Sequence, residues 1–248
     1  MKGKIALVTG GMGGIGTAIC RQLAQQGAVV IATYNRGGDH LAAKAWQEEQ
    51  RQQGYEISIH YVDVSDFNSC QTMVQVIHSQ FNCIDILVNN AGITRDVQLY
   101  KMNLEQWQAV LQTNLDSLFN VTRHVISHMI ERRYGRIINI SSINGQKGQF
   151  GQTHYAAAKA GIHGFTKSLA QEVARKGITV NTISPGYIVT PMVMSLSDEI
   201  REKIIAQIPV GRLGTPEEVA RAVVFLASEE SSFITGSNLT INGGQYLL

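Results

Sequence analysis

The chain has 248 residues and a formal net charge of +2, from 21 lysines and arginines against 19 aspartates and glutamates. With 44% hydrophobic and 16% charged residues, the composition excludes a disordered chain, and the near-neutral charge offers no broad field for nucleic acid or anionic lipid. No apolar run approaches the ~20 residues of a membrane span, so we expect a soluble, cytoplasmic protein without nucleic-acid or membrane partners.

Short β-branched runs alternate with longer helical patterns along the whole chain. The predicted strands are nearly continuous in apolar residues, as is typical of parallel strands covered on both faces. They span Ile5–Thr9, Ala28–Thr33, Ile57–Val62, Ile84–Asn89, Arg136–Ile140, Thr179–Ser184 and Asn238–Ile241. The predicted helices span Ile15–Gln26, Leu41–Gln53, Asn68–Phe81, Leu104–Arg133, His154–Lys176 and Pro216–Ser228. This alternation predicts an α/β fold with right-handed crossovers and a doubly wound parallel sheet.

The helix starts and the proline distribution indicate how the chain is organised. Two starts carry the reciprocal capping pattern, Asn103 with Gln106 and Thr215 with Glu218. All four prolines fall in the last quarter of the chain, where the alternation pauses and leaves about 186–214 as a helical or irregular insertion. Since no linker, repeat or low-complexity tract is present, we expect the whole chain to form a single domain.

A glycine-rich turn follows the first predicted strand and opens directly into the first helix. It reads Thr9-Gly10-Gly11-Met12-Gly13-Gly14-Ile15-Gly16. Glycines permit a tight turn and let the backbone approach a pyrophosphate at the unpaired N–H groups of a helix start. The strand before and the helix after favour a dinucleotide site over a tight turn without a ligand. The expected contacts are Gly10, Gly13, Gly14, Ile15 and Gly16.

The ends of the second and third strands bear on the choice of cofactor. An NAD site normally has an acidic residue about 20 positions past the glycines, but this chain has none before Asp39. Arg36 can pair with a 2′-phosphate, which favours NADP(H), or it can face solvent. Asp63 and Val64 lie where the adenine should rest, and the Asp63 carboxylate can accept from the adenine amino group. A plain turn, or a helix cap at Asp66, explains the same polarity.

Further polar residues follow the fourth and fifth strands and occupy one helix face. Asn90, Ala91 and Gly92 follow the fourth strand, at the edge where doubly wound sheets bind ligands. Tyr155 and Lys159 lie four residues apart in the fifth predicted helix and share one face.

This arrangement suits the reduction of a carbonyl group. A tyrosine holds a transferable proton at neutral pH, and a nearby ammonium stabilises the phenolate left behind and lowers its pKa. Lys159 can do this and can also hold the nicotinamide ribose. Ser142 can donate a hydrogen bond to the carbonyl oxygen, and Asn114 can hold a water that feeds protons to Lys159. Each residue also has an ordinary structural alternative: a buried tyrosine, a surface lysine, a turn serine or a back-bonded asparagine.

Taken together, these motifs resemble the short-chain dehydrogenase/reductase superfamily over essentially the whole chain. The resemblance implies a Rossmann-type parallel sheet of seven strands with helices on both faces, a nicotinamide cofactor, hydride transfer at a carbonyl or alcohol carbon, and a homotetramer. It implies that Ser142 stabilises the carbonyl, Tyr155 is the acid/base, Lys159 binds ribose and relays protons, and Asn114 holds the water. It also implies nicotinamide-end contacts from Pro185, Gly186, Ile188 and Thr190.

A narrower resemblance rests on 90–96 and 144–152, which look like acetoacetyl-CoA reductases of polyhydroxyalkanoate synthesis. Such enzymes reduce acetoacetyl-CoA to (R)-3-hydroxybutyryl-CoA with NADPH. The implied substrate contacts are Asp96, Ser142, Gln149, Phe150, Gln152, Gly186 and Tyr187. Ser197 departs from the pattern, because it stands where these relatives have an arginine near the substrate mouth. Arg201 or Lys203 are candidates for the missing charge.

The nearest alternative is the same chemistry on another carrier, as in 3-oxoacyl-[acyl-carrier-protein] reductases. An acidic carrier protein requires basic residues near the site, such as Arg132-Arg133 or Arg175-Lys176. These pairs also sit at the C-terminal ends of predicted helices, where cations are favourable in any protein. The charges therefore do not discriminate, and the stretch Gln149–Gln152 favours the CoA thioester.

Two remoter alternatives are a nonenzymatic nucleotide-binding regulator and a metal protein. A regulator could lose the tyrosine or the lysine without losing its cofactor, yet both are present. His124 and His128 have the spacing of a zinc pair, but the glutamate of an HExxH motif is missing. We therefore predict an enzyme without a metal.

Overall fold

A computed structural model of the chain describes residues 1–247, and the side chains of Arg36 and Met192 lie outside that description. All seven strands form one parallel sheet in the order β3-β2-β1-β4-β5-β6-β7. The strands are β1 (Ile5–Val8), β2 (Val29–Tyr34), β3 (Ile57–Tyr61), β4 (Ile86–Asn89), β5 (Gly135–Ile140), β6 (Ile178–Pro185) and β7 (Asn238–Ile241). The order reverses between β1 and β4, which confirms the predicted doubly wound Rossmann-type sheet.

Helices cover both faces of this sheet. They are α1 (Gly14–Gln25), α2 (His40–Gln52), α3 (Phe67–Phe81), α4 (Leu104–Leu111), α5 (Ser117–Arg132), α6 (Asn144–Lys147), α7 (Thr153–Val173), α8 (Pro191–Met194), α9 (Asp198–Ile205) and α10 (Pro216–Ala227). Both predicted capping boxes are present, at the starts of α4 and α10. Across residues 1–247, no helix combines the length and the apolar character needed to cross a membrane.

The five inner strands, β2, β1, β4, β5 and β6, contribute side chains to two separate cores. Along β1, Ala6 and Val8 pack with α1 and α10 on one face, whereas Ile5 and Leu7 pack with α3, α5 and α7 on the other. Side chains of a strand alternate between faces, so a strand covered on both sides must be apolar at every position. This is why the predicted strands read as continuous apolar runs.

The helix predicted over Leu104–Arg133 contains a wider turn. Residues Gln112–Asp116 form one turn of π-helix between α4 and α5. Such a turn inserts an extra residue into the helix and is frequent at functional sites. Here it carries Asn114, which is fully buried, toward the carboxyl edge of the sheet.

The segment 186–214 leaves the sheet after β6 and contains α8 and α9. Its two ends are joined to each other by a parallel bridge between Ile188 and Gly214, in which Val189 N donates to Gly214 O at 2.8 Å. Close by, a side chain at Gly14 would meet Thr190 at 3.2 Å. The start of the segment therefore lies against the first turn of α1.

Two neighbouring residues of α3 differ in burial, so their substitution should change the free energy of unfolding by different amounts. Ile77 is fully buried, whereas Val76 is 39% exposed. Ile77→Ala removes buried methyl groups and leaves a cavity, so we expect it to lower the free energy of unfolding by about 2–5 kcal/mol. Val76→Ala should change it by less than about 0.5 kcal/mol. Urea unfolding at one fixed protein concentration measures both, and equal losses would contradict this assignment of the core.

Candidate active site

The carboxyl ends of β1 and β4 are tied together by side chains. Asn90 N and Ala91 N donate to Thr9 Oγ1 at 2.9 and 3.1 Å, and Asn90 Nδ2 donates to the carbonyl oxygens of Thr9 and Gly10 at 3.0 and 3.1 Å. These bonds hold the glycine turn against the end of β4. The two loops that form the bottom of the crevice, at the reversal of strand order, are therefore held in fixed positions.

The glycine turn is shaped for a close approach of backbone. Gly10 has φ +61°, and a side chain there would come within 3.0 Å of Ala91 Cα. A side chain at Gly16 would lie 2.3 Å from Gly10 O. Gly13 is the N-cap of α1, with no capping side chain and no acidic residue in the first turn. The first N–H groups of α1 are thus left for an anion, so the residues present fit a dinucleotide pyrophosphate.

The turn after β2 offers no carboxylate to a ribose. Asp39 instead caps α2, accepting from Ala42 N at 2.9 Å. The rings of Tyr34, His40 and Tyr61 form an edge-to-face cluster beside it, with centroids 5.7–5.9 Å apart. The predicted contact of Arg36 with a 2′-phosphate lies outside the described residues.

Asp63 and Asp66 both make local hydrogen bonds after β3. Asp63 Oδ1 accepts from the hydroxyl and the main-chain N–H of Ser65 at 2.6 and 3.0 Å, and Asp66 caps α3 by accepting from Ser69 N at 2.6 Å. The turn-and-cap alternative is therefore present in the fold. Val64 is buried, and its carbonyl accepts from Asn120 Nδ2 at 3.0 Å. The adenine contacts of Asp63 and Val64 stay predictions.

Lys159 lies on α7 and is 4% exposed. Its Nζ donates to Ile140 O, at the end of β5, at 2.8 Å, and Ser141 Oγ donates back to Lys159 O at 2.8 Å. Gly145 lets this contact form, because a side chain there would lie 2.7 Å from the Lys159 carbonyl carbon. Burial lowers the pKa of Lys159 to about 8, since water no longer solvates the ammonium.

Tyr155 lies one turn before Lys159, and the ammonium is 5.7 Å from the centre of its ring. The Ser142 side chain acts on the Tyr155 hydroxyl and lowers the pKa of that phenol. Burial raises the pKa of Tyr155, and the bond from Ser142 works against that rise. The sequence predicted a pKa lowered by Lys159. The structure differs because desolvation dominates and the ammonium is bound to Ile140 O.

Asn114 uses both ends of its side-chain amide on one neighbour. Its Oδ1 accepts from Ile93 N and its Nδ2 donates to Ile93 O, each at 2.8 Å. A side chain at Gly92 would meet Asn114 Oδ1 at 3.1 Å and Lys159 Nζ at 3.5 Å. Asn114 therefore clamps the loop after β4 beside Lys159. Its predicted role as the holder of a water stays a prediction.

The predicted substrate residues divide into a hydrogen-bonded group and a pair in the turn before α7. Gln152 Nε2 donates to Asp96 Oδ2 at 2.8 Å, and Gln152 Oε1 accepts from Asn144 Nδ2 at 2.9 Å. The Asn144 side chain lowers the pKa of Tyr187, and the charge of Asp96 raises the pKa of both Tyr155 and Tyr187. These residues therefore share one wall of the crevice.

The pair is half-buried Gln149 and exposed Phe150. Phe150 is 79% exposed, and Gln149 accepts from Lys147 Nζ at 3.0 Å. Because Val97 N donates to Gly151 O at 2.8 Å, this turn is joined to the loop after β4. The pair lies at the rim of the crevice.

The predicted nicotinamide-end residues follow β6. Gly186 N donates to Ile241 O at 2.8 Å, and a side chain at Gly186 would lie 2.9 Å from Asn242 Cα. Pro185 and Ile188 are buried, and Thr190 caps α8 by accepting from Val193 N at 3.3 Å. Small size is therefore needed at Gly186, which keeps the loop close to the sheet edge.

The proposed replacements for the missing arginine are engaged elsewhere. Arg201 pairs with Asp198 and donates to Met194 O at 3.0 Å, and Lys203 pairs with Glu199 at 2.6 Å. Ser197 is the N-cap of α9. These partners hold both cations on their own helix.

The histidines on α5 point to different neighbours. His124 lies against Phe67, with ring centroids 4.4 Å apart, and His128 lies against His78 at 4.0 Å. In residues 1–247, no group of three or more histidine, cysteine, aspartate or glutamate side chains is arranged to hold a metal ion.

The burial of Lys159 makes the stability of the folded chain depend on pH. Its folded pKa of about 8 lies below the ordinary 10.5, so between these values the unfolded chain binds a proton that the folded chain lacks. This group's cost to stability is then full below about pH 8 and fades as the pH rises. We expect Lys159→Met to raise the free energy of unfolding by ~1–3 kcal/mol at neutral pH. The difference between the variant and the wild type should become smaller toward about pH 10. If urea unfolding over a series of pH values gave a constant difference between variant and wild type, this explanation of the lowered pKa would be contradicted.

Comparison with known proteins gives the family. The family described as enoyl-(acyl carrier protein) reductase matches residues 10–245. An acetoacetyl-CoA reductase of Cupriavidus necator is 53% identical over 247 residues, covering 100% of both chains, and one of Allochromatium vinosum is 52% identical over 244 residues, covering 98% of this chain and 99% of the relative. A 3-oxoacyl-[acyl-carrier-protein] reductase of Vibrio cholerae is 46% identical over 248 residues, covering 100% and 99%. The chain therefore belongs to the enoyl-(acyl carrier protein) reductase family and, with it, to the short-chain dehydrogenase/reductase superfamily.

Proposed function

We propose that this chain catalyses the NADPH-dependent reduction of acetoacetyl-CoA to (R)-3-hydroxybutyryl-CoA. The proposal rests on one observation above all: Tyr155 and buried Lys159 lie one turn apart on α7 with the ammonium 5.7 Å from the tyrosine ring, and Ser142 acts on the Tyr155 hydroxyl. Relatives named acetoacetyl-CoA reductase, at 52% and 53% identity over nearly the whole chain, support the choice of substrate. The chain is an oxidoreductase acting on a CH–OH/C=O pair.

The cofactor of this superfamily is a nicotinamide dinucleotide, which supplies a hydride to the carbonyl carbon when bound. The glycine turn and the start of α1 would hold its pyrophosphate, and Asp63 and Val64 its adenine. Asn90, Ala91 and Gly92 would line its path along the crevice toward Lys159. NADPH is favoured because the acid nearest to the end of β2, Asp39, is used as a helix cap.

Ser142 and Tyr155 would act on the carbonyl oxygen. Ser142 Oγ accepts from Asn144 N at 3.1 Å, which leaves its own proton free to be donated. Burial raises the pKa of Tyr155, so the phenol keeps its proton at neutral pH until the oxygen gains negative charge. Tyr155 then gives up that proton, and the alcohol forms. Ser142 stabilises the developing charge without transferring a proton.

Lys159 would restore the tyrosine and hold the ribose. An ammonium with a pKa of about 8 is mostly charged at neutral pH, yet it releases a proton more readily than an exposed lysine. It can therefore pass a proton toward the phenolate. The water held near Asn114 would complete the path from solvent.

The wall of Asp96, Gln152 and Tyr187 would orient the thioester. These side chains offer amide, carboxylate and phenol groups to the polar acyl and pantetheine portions. Gln149, Phe150 and Gly186 would contact the substrate nearer the rim. Pro185, Ile188 and Thr190 would flank the nicotinamide.

The distribution of basic residues favours the CoA thioester over a carrier protein. Arg132 pairs with Asp85 at 2.8 Å, and Asp85 precedes β4 at the amino edge of the sheet. Arg133 donates to Arg175 O at 3.0 Å, just before β6 at the same edge. Both basic pairs thus lie at the opposite edge from Ser142 and Tyr155, away from the crevice of their own chain.

Rates measured with acetoacetyl-CoA and with an acetoacetyl-carrier thioester test the substrate. Purified protein with NADPH should give a higher kcat/KM on acetoacetyl-CoA. A clear preference for the carrier thioester would assign the chain to fatty-acid synthesis. Failure to oxidise NADPH with either thioester would favour the nonenzymatic regulator.

The Tyr155→Phe variant tests the proton donor. Removal of the hydroxyl should lower kcat by about 10²–10⁴-fold, because only the acid is lost. NADPH binding, followed by its fluorescence, should stay within about twofold. Substantial retained activity would place the acid on another residue.

The Arg36→Ala variant tests the choice of cofactor. Loss of a charged partner for the 2′-phosphate should raise the KM for NADPH about tenfold or more and leave that for NADH nearly unchanged. Steady-state kinetics with each cofactor measures the two effects. Equal losses with NADPH and NADH would exclude the 2′-phosphate contact.

A homotetramer is the assembly we propose. The first half of the exposed side of α7 carries the small residues Ala157, Ala160 and Gly164, and Phe119 on α5 is 52% exposed. Small side chains allow another helix to approach closely, which is consistent with a self-complementary contact. Light scattering should give four times the mass of the chain, and a monomer would contradict the proposal.

A further inference from the structure

We propose that Asn144 is a positioning residue for the reduction, which joins the substrate-binding wall to Ser142. The inference rests on the proposed function and adds to it a residue to which neither the motifs nor the resemblance gave a role. Asn144 is the first residue of α6 and is 7% exposed.

The main chain of Asn144 acts on Ser142. Its N–H donates to Ser142 Oγ at 3.1 Å. A serine hydroxyl has one proton and two lone pairs, so a lone pair engaged by a main-chain donor restricts the directions in which the proton can point. Because α6 begins two residues after Ser142, a displacement of this turn displaces that bond as well.

The side chain of Asn144 acts on the wall formed by Asp96, Gln152 and Tyr187. Its Nδ2 donates to Gln152 Oε1 at 2.9 Å, which commits the remaining end of the Gln152 amide to Asp96 Oδ2 at 2.8 Å. A glutamine amide can flip, but here each end has a distinct partner, so only one orientation satisfies both. Asn144 thus fixes which group Gln152 presents to Asp96.

The remaining contacts of Asn144 also belong to the crevice. The Asn144 side chain also acts on the Tyr187 hydroxyl and lowers the pKa of that phenol, against the rise that burial causes. In the described part of the chain, Asn144 Oδ1 is buried without a hydrogen-bond partner. A buried acceptor is costly to leave unpaired. This cost is tolerable where a polar ligand or a water can reach the acceptor.

The consequence for the reaction is that two groups needed by one substrate are held in register. Ser142 must meet the carbonyl oxygen, while the Asp96–Gln152 wall must hold the rest of the thioester. One residue bonded to both sides keeps their separation constant. Residues of this kind support a site without touching the reacting atoms.

The Asn144→Leu variant tests the side-chain half of this link. Leucine has the same number of side-chain heavy atoms in the same branched arrangement and keeps the main-chain N–H, but it removes the donor to Gln152. We expect kcat/KM for the thioester to fall about tenfold, as for the loss of one buried hydrogen bond. The loss should arise mainly from a higher KM, while the Kd for NADPH stays within about twofold. Gln146→Leu, the same kind of change two residues later, should leave both values near wild type.

A double-mutant cycle with Gln152→Leu decides whether Asn144 acts through Gln152. If it does, the double variant loses no more kcat/KM than the worse single variant. Losses that multiply, an equal loss of NADPH affinity, or an equal effect of Gln146→Leu would overturn the proposal.

The same cycle measured by urea unfolding keeps this inference separate from the proposed function. Coupled side chains give non-additive changes in unfolding free energy whether or not the substrate is acetoacetyl-CoA. A wild-type chain inactive on every thioester would contradict the proposed function alone. Additive unfolding changes would contradict the Asn144–Gln152 link alone.

Discussion

The site depends on one reciprocal contact between a helix and the end of a strand. Lys159 Nζ donates to Ile140 O while Ser141 Oγ donates to Lys159 O, so two hydrogen bonds run in opposite directions between α7 and β5. Since β5 lies inside the sheet, its end is fixed by its neighbours. The helix is then fixed relative to that end, and Tyr155 takes its place by helical geometry alone. A charged group is buried for this purpose, which is why its ionisation is coupled to folding.

A second polar network aligns the strands beneath this contact. Asn89 Nδ2 donates to Asn139 Oδ1 at 2.9 Å, Asn139 Nδ2 donates to Thr166 Oγ1 at 2.9 Å, and Thr182 Oγ1 donates to Thr166 Oγ1 at 2.8 Å. The chain of bonds joins β4, β5 and β6 to α7. Apolar packing alone tolerates small slips of a helix over a sheet, whereas a satisfied buried network has one arrangement. The network thus sets the position of α7 along the strands.

Much of the fold was accessible from the sequence because its signals are local. Apolar runs, glycine turns and capping boxes act over a few residues, and both boxes formed as predicted. The reciprocal spacing of Tyr155 and Lys159 is local too. The π turn at Gln112–Asp116 was missed because its cause is tertiary: Asn114 must reach Ile93, which a regular helix pattern does not reveal. For the same reason Asn144 received no role, since its partners Gln152 and Ser142 are identified only by hydrogen bonds in three dimensions. The sequence motifs also did not reveal that Arg201 and Lys203 form ion pairs with Asp198 and Glu199 on their own helix.

The bridge between Ile188 and Gly214 separates the excursion after β6 from the rest of the architecture. Both ends of the segment 186–214 are held at one point of the sheet edge, so the residues between them form a loop whose two ends are fixed. The entropy needed to close such a loop grows only slowly with its length. Residues can consequently be added, removed or exchanged within it while the catalytic edge keeps its geometry. The fold thereby gives the chain one segment, beyond Thr190, whose length and sequence can change while Ser142, Tyr155 and Lys159 keep their positions.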